Sequence, residues 1–188
     1  MKYFKNYLLI SIFLLISINY SGNSYARSSN EIDASIDNAL ERFIEEIQGS
    51  QGYLDGAKGV LVIPRMIKAG VVLGMEYGEG ALIVDGIKMQ YYRAFSTSLG
   101  LQLGVGSKDL VILFFDDEAM DDFIYSSGWQ AGVDGAIALF TMGLGGSIDT
   151  TESQDPIVGF VFGHKAVSYT HLRAHETRHD LVCRLLLE

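Results

Sequence analysis

His171, His175, His179 and Cys183 recur every four positions near the C-terminus, and HETRH (His175 to His179) fits the pattern H-E-x-x-H. On a helix this spacing puts two imidazoles on one face to hold zinc, with the glutamate between them as general base for hydrolysis. Such a site needs a third protein ligand, normally well downstream. Past His179 the only carboxylate side chains are Asp180 and Glu188. The other reactive groups are sparser still. The acidic run DDEAMDD (Asp116 to Asp122) lacks the D-x-[DN]-x-[DN]-G calcium loop and reads better as a helix start, where the dipole favours acids. His164 has no partner in its motif, and the glycine motifs lack both G-x-G-x-x-G and a Walker lysine. Neither a cofactor nor a nucleotide is implied, and no nucleophile–base pairing points to an enzyme.

Composition changes abruptly around these histidines. Residues 27–166 contain one histidine and no cysteine, whereas VSYTHLRAHETRHDLVCRLLLE (residues 167–188) holds three histidines, the only cysteine and no glycine. This last stretch resembles a translated sequencing-adapter tail. VSYTHLRAHET is similar to one frame of transposon-end DNA, and LVCRLLLE to one frame of an index primer. Residues 167–188 are therefore expected to be non-native, and the zinc reading falls with them. At the other end, Lys2 and Lys5 precede the apolar run YLLISIFLLISI, and a small-x-small site closes at Ala26. Residues 1–26 read as a secretory signal peptide, so the protein is expected to be exported to the periplasm or envelope. The module between, residues 27–166, carries nine Lys/Arg against twenty Asp/Glu, a balance of −11. That balance argues against a nucleic-acid partner, because phosphate neutralisation requires clustered cations.

The positioning elements follow from periodicity. Ile32, Ile36, Leu40, Phe43 and Ile47 form one apolar stripe, capped by Ser29 or Asn30 and stopped by Gly49, which predicts an amphipathic helix with an acidic outer face. From Gly59 onward the period is two. Val71, Leu73, Met75 and Tyr77 alternate with glycines, as do Leu99, Leu101, Leu103 and Val105. Asp85-Gly86 predicts a hairpin turn. A strand over Lys108 to Phe115 leads into a helix capped by Asp116 or Asp117, with Gly128 as its stop. A long glycine-rich hairpin from Trp129 and a last strand after Pro156 complete the pattern. The expected fold is α+β: a strongly coiled, mostly antiparallel, glycine-rich, barrel-like sheet with an N-terminal amphipathic helix and one inserted helix.

AKGVLVIPRMIKAGVVLGMEYGEGALIV, SLGLQLGVGSKDLVILF, SGWQAGVDGAIAL and GFVFGHK occur in this order. They resemble the SYLF domain family from about Ile32 to Lys165, most closely its bacterial members with signal peptides. The resemblance implies a non-enzymatic module that binds anionic lipids, phosphoinositides in eukaryotic members, with actin binding in fungal ones. It also implies a further glycine-rich strand after GFVFGHK, so a truncated domain with an unpaired sheet edge is expected. The stretch Gly56 to Met75 has no acid and three cations, Lys58, Arg65 and Lys68. These are the candidate lipid-binding residues, with Lys68 in IKAG the best match to the family motif. Solvated strand cations are the plainer reading. Trp129 joins them as a possible interfacial anchor, against its ordinary place in a core. Tyr91 and Tyr92 alternate across a strand, so one of them is expected to be exposed. The expected partner is an anionic phospholipid surface; a protein-interaction module of the envelope is the alternative, and a small outer-membrane barrel fits the two helices poorly. Sequencing the source locus past the codon for Ala166 is expected to show a glycine-rich strand in place of HETRH. The same histidines in the genome would instead restore the zinc reading, to be checked by zinc titration.

Overall fold

The first helix, α1 (Ser29–Glu46), starts one residue before the expected caps. The Ser28 side chain accepts from the Glu31 backbone N–H, satisfying one orphan donor of the first turn. Its inward stripe is Ile32, Ile36, Ala39 and Phe43, with Leu40 half-buried beside it. Gly49 does not end this helix. With a φ of 85° it opens a second one, α2 (Ser50–Gly56), after α1 has closed at Ile47. The computed structural model describes residues 27–70, 73–99, 104–142, 155–166 and 180–185. The signal-peptide segment and His171, His175 and His179 therefore lie outside the described residues.

The strands are β1 (Gly59–Gly70), β2 (Leu73–Val84), β3 (Ile87–Leu99), β4 (Gly104–Phe114), β5 (Trp129–Gln130), β6 (Ala138–Thr141), β7 (Ile157–Ala166) and β8 (Asp180–Leu185), with α3 (Asp117–Tyr125) between β4 and β5. They pair in the order β5-β8-β3-β2-β1-β4-β7-β6, antiparallel except for β6 against β7. The protein is thus α+β with a mostly antiparallel sheet. The ladder ends at β5 and β6 without joining them, so among the described residues the sheet is open rather than a closed barrel.

Two further expectations are corrected. Among the described residues of the stretch from Trp129, 129–142, no hairpin forms: a turn at Gly132, held by Asp134 accepting from the Gln130 N–H, separates β5 from β6, which lie at opposite ends of the sheet, and residues 143–148 lie outside the described residues. Gly128 does not stop α3, which ends at Tyr125 with Ser126 as its cap, although the expected Asp116 cap is present. Beyond Ala166, within the segment expected to be non-native, β8 pairs with β3 from Thr97↔Asp180 to Tyr92↔Leu185. A backbone ladder can recruit such a segment with little regard to its side chains. Cys183 consequently sits on a strand, where a four-residue helical stripe has no meaning.

Each sheet face carries its own core. On one, α1 and Tyr53 of α2 cover Val62, Ala81, Val111, Leu113, Val158, Phe160 and Phe162, with the Phe43 ring 5.3 Å from those of Phe160 and Phe162. On the other, Phe123 of α3 and Trp129 pack over Leu61, Ile63, Met66, Leu82, Tyr92, Ala94, Leu110, Ile112 and Phe114. Alternation along β2 is as expected, and the glycine face is the one turned inward. Gly74, Gly78 and Gly80 face inward, while Met75 is 57% and Tyr77 37% exposed. The reason lies in β1. Pro64 has no N–H, Arg65 adopts φ 53°, and the register with both neighbours shifts between Val62 and Ile67. Gly80 lies against this bulge so closely that an added Cβ would sit 1.8 Å from the Val62 carbonyl oxygen. Gly80→Ala is therefore expected to lower stability by about 3 kcal/mol or more, since backbone must move. Gly52→Ala, with open space around it in α2, is expected to be neutral or to stabilise by up to about 1 kcal/mol. Urea unfolding midpoints compare the two, and equal midpoints would refute the close approach.

Candidate functional site

The bulge at Pro64-Arg65 decides which side chains reach which face. Side chains alternate strictly along a strand, so one extra residue exchanges the two faces beyond it. Ile63 and Met66, three apart, both reach the α3 side. Ile67 thereby points to the α1 side and Lys68 to the α3 side. A second bulge in β7 does the same: Gly163 has φ 61°, and the β4–β7 register shifts between Ser107 and Asp109. His164 then lines a cavity on the α3 side and Lys165 a cleft on the α1 side.

Asp109 stands where the two bulges meet. Its carboxylate is almost fully buried, accepts from the Arg65 backbone N–H at 2.8 Å and pairs with the Arg42 guanidinium at 2.6 Å. A Cβ on Gly163 would lie 2.6 Å from Asp109 Oδ2. The surrounding cleft, of about 270 Å³, is lined by Ser35, Asn38, Arg42, Arg65, Ser107 and Lys165 as well. With Arg42 neutralised by Asp109, the cleft keeps an excess of cations from Arg65 and Lys165.

Beside it a single cross-strand row runs Phe95–Tyr77–Ile67–Ser107–Lys165, from β3 to β7. The next row is Thr97–Met75–Ala69–Val105. Ile67, Met75 and Val105 are each more than half exposed. Within the first row the Tyr77 and Phe95 rings lie 5.1 Å apart, and the Tyr77 hydroxyl donates to Glu79. Burial, then that bond, push the Tyr77 phenol up to about 12. The row is apolar at its β3 end and cationic at its β7 end.

The opposite face presents Ser96–Glu76–Lys68–Gly106 as one row. Glu76 is 2% exposed; its two oxygens meet Lys108 Nζ at 2.6 Å and Lys68 Nζ at 3.5 Å. A buried carboxylate needs such partners, and here two cations share one anion. These groups form the polar end of a cavity of about 350 Å³ walled by Met66, Leu110, Ala131, Ile137, Leu139 and Val161, with His164 at its edge. A smaller recess continues from it past Lys68, Gly106, Ser107, Lys108, His164 and Lys165. The His164 imidazole is held below its ordinary 6.5 by burial first and by Lys108 second, against the opposing pull of Glu76 and Asp109.

Of the four sequence candidates, Arg65 lies in the cleft on the α1 side and Lys68 in the cavity on the α3 side. Lys58 is exposed at the far end of β1, next to α2, and Trp129 is 1% exposed with its ring against Phe123. They do not converge on one patch, and the indole has no free face to serve as an anchor. Tyr92 is buried, and Tyr91 is half-buried with its hydroxyl donating to Asp33 of α1, so neither is an exposed anchor. Glu76, Lys108, Ser96, Lys165 and His164 were not among the candidates. The signal for Glu76 was present as a lone acid on the glycine face of its strand, whereas the partnership with Lys108 depends on strand order. Among the described residues no cluster of His, Cys, Asp and Glu forms a metal site, and no helix is long and apolar enough to cross a membrane.

Comparison with models of protein families and with curated proteins returns no match for the chain. The site is therefore interpreted from its own geometry. A depressed His164 pKa means that protonation favours the unfolded chain, so stability falls as pH drops below about 6.5, until the folded value is passed. Glu76→Gln removes a group that raises the His164 pKa and is expected to lower it further. Proton NMR of the ring, assigned by its loss in His164→Asn, checks this; an unchanged or higher value would contradict the arrangement.

Proposed function

We propose that the protein is a non-enzymatic module of the SYLF type that docks on anionic membrane surfaces at the envelope, through the row Phe95–Tyr77–Ile67–Ser107–Lys165 and the cleft beside it. One observation carries this reading: exposed apolar side chains and Lys165 share a face, in register, with Arg65 lining the cleft beside them, within a strongly acidic chain. A protein with a balance of −11 over residues 27–166 gains nothing from bulk charge near anionic lipid. Binding must be local and must combine both kinds of contact. Inserting the half-exposed Ile67, Met75 and Val105 contributes about 1 kcal/mol each, taking half of a full side-chain burial. Arg65 and Lys165 near phosphate add about 1 kcal/mol each. A total on the order of 5 kcal/mol gives reversible attachment.

Vesicle flotation tests the reading. Recovery is expected with phosphatidylglycerol-containing vesicles and not with phosphatidylcholine alone. Ile67→Asp and Lys165→Glu are each expected to cut binding several-fold, about 1 kcal/mol or more, while Met89→Asp, exposed at the other end of β3, leaves it unchanged. Equal recovery with both vesicle types, or in all three variants, would sink it.

A further inference from the structure

The cavity on the α3 side is not used by membrane docking, and its chemistry is specific. Two ammonium groups, Lys68 and Lys108, meet one buried carboxylate, Glu76, so among the described residues the polar end carries one cation more than anions. Lys68 and Lys108 are partly exposed, at 27% and 19%, so the excess cation is open to an anion that enters the cavity. Ser96, buried beside Glu76 in the same row, supplies a hydroxyl. Away from this end the walls are mainly apolar, with Leu110, Ile137, Leu139 and Val161 beside a single hydroxyl, that of Thr141. About 350 Å³ lies at the small end of ligand cavities, enough for one short chain and too little for a two-chain phospholipid. The recess past Lys108 and Lys165 gives the charged end a route to solvent.

We propose that this cavity binds one single-chain carboxylate amphiphile, a medium-chain fatty acid, with its carboxylate between Lys68 and Lys108 and its chain along Leu110, Ile137, Leu139 and Val161. The cavity lies off the docking row, because Ile67 and Lys68 point to opposite faces of β1; only its recess reaches Ser107 and Lys165 of that row. Glu76 holds the two lysines in place while the ligand is absent, and the ligand supplies the second anion that the pair of lysines calls for. Specificity is for one negative charge on an apolar chain: a cationic amphiphile meets like charge at Lys68 and Lys108, and a short acid such as acetate leaves the apolar walls unfilled.

Calorimetric titration of the full chain with dodecanoate, below its micellar concentration, tests this, with dodecyltrimethylammonium and acetate as comparisons. Saturable binding of one dodecanoate per chain is expected, with neither comparison ligand matching it. Lys68→Met leaves Glu76 paired with Lys108 and is expected to weaken binding by at least about tenfold. Leu139→Asp, on the edge strand β6 and half exposed, tests the chain end with little risk to folding and is expected to weaken it similarly. Arg65→Gln and Ile67→Asp alter the other face and are expected to leave dodecanoate binding intact, even where vesicle binding is lost. The NMR-determined pKa of His164 is expected to rise when the carboxylate is bound. Absence of saturable binding, equal binding of the ammonium amphiphile, or full affinity in both Lys68→Met and Leu139→Asp would overturn the assignment.

Discussion

The buried carboxylate of Asp109 fixes the arrangement on which both faces depend. Two strands that flank β4 carry an extra residue at the same level, and Asp109 lies between them. Its acceptance of the Arg65 N–H holds a non-glycine residue at positive φ, a conformation that costs on the order of 1 kcal/mol or more when unsupported. Its pairing with Arg42 fastens the same point to α1. Remove the carboxylate and Arg42 loses its counter-charge, the Arg65 amide loses its acceptor, and the phase of β1 beyond Pro64 loses its anchor. Since phase decides face, the consequence is chemical as well as structural.

Two faces of one sheet thus acquire opposite characters from consecutive residues. Ile67 and Lys165 look toward the α1 side, Lys68 and His164 toward the α3 side. The glycines of β2 make this possible. Gly78 and Gly80 leave room for the bulged segment of β1, and a side chain at either would meet Ile63, Met66 or the Val62 backbone. The absence of side chains there lets β1 come close enough for Lys68 to stand across from Glu76. The cation and anion are then a directly opposed cross-strand pair, with Lys108 completing the group from the neighbouring row.

Local order was legible in the amino acids, and long-range polarity was not. The α1 stripe, the Asp85-Gly86 turn with both residues at positive φ, and the Asp116 cap all follow from short-range rules. The period of two along β2 was equally plain. A period of two does not by itself say which face turns inward; here the close approach of β1 selects the glycine face. Pro64 marked the bulge, but a proline alone does not say which neighbours will accommodate it. Arg65 and Lys68 were recognisable as cations of one segment. That they serve opposite faces required the bulge, and that Lys68 shares Glu76 with Lys108 required the strand order. Trp129 illustrates the same limit: its type permits either an interface or a core, and only packing against Phe123 decides.

The exposed row has another consequence, for the protein among copies of itself. Ile67, Met75 and Val105 offer each molecule a surface that an identical molecule can cover as well as a lipid can. Like charge opposes that encounter, since each copy brings an excess of carboxylates, among them Glu41 and Glu45 on the outer face of α1. Repulsion of this kind reaches only about 10 Å at moderate ionic strength and shrinks as salt is added, whereas apolar attraction does not. The acidity of the chain therefore acts as a colloidal stabiliser, and it is weakest in concentrated salt and near the isoelectric point of about 4.8.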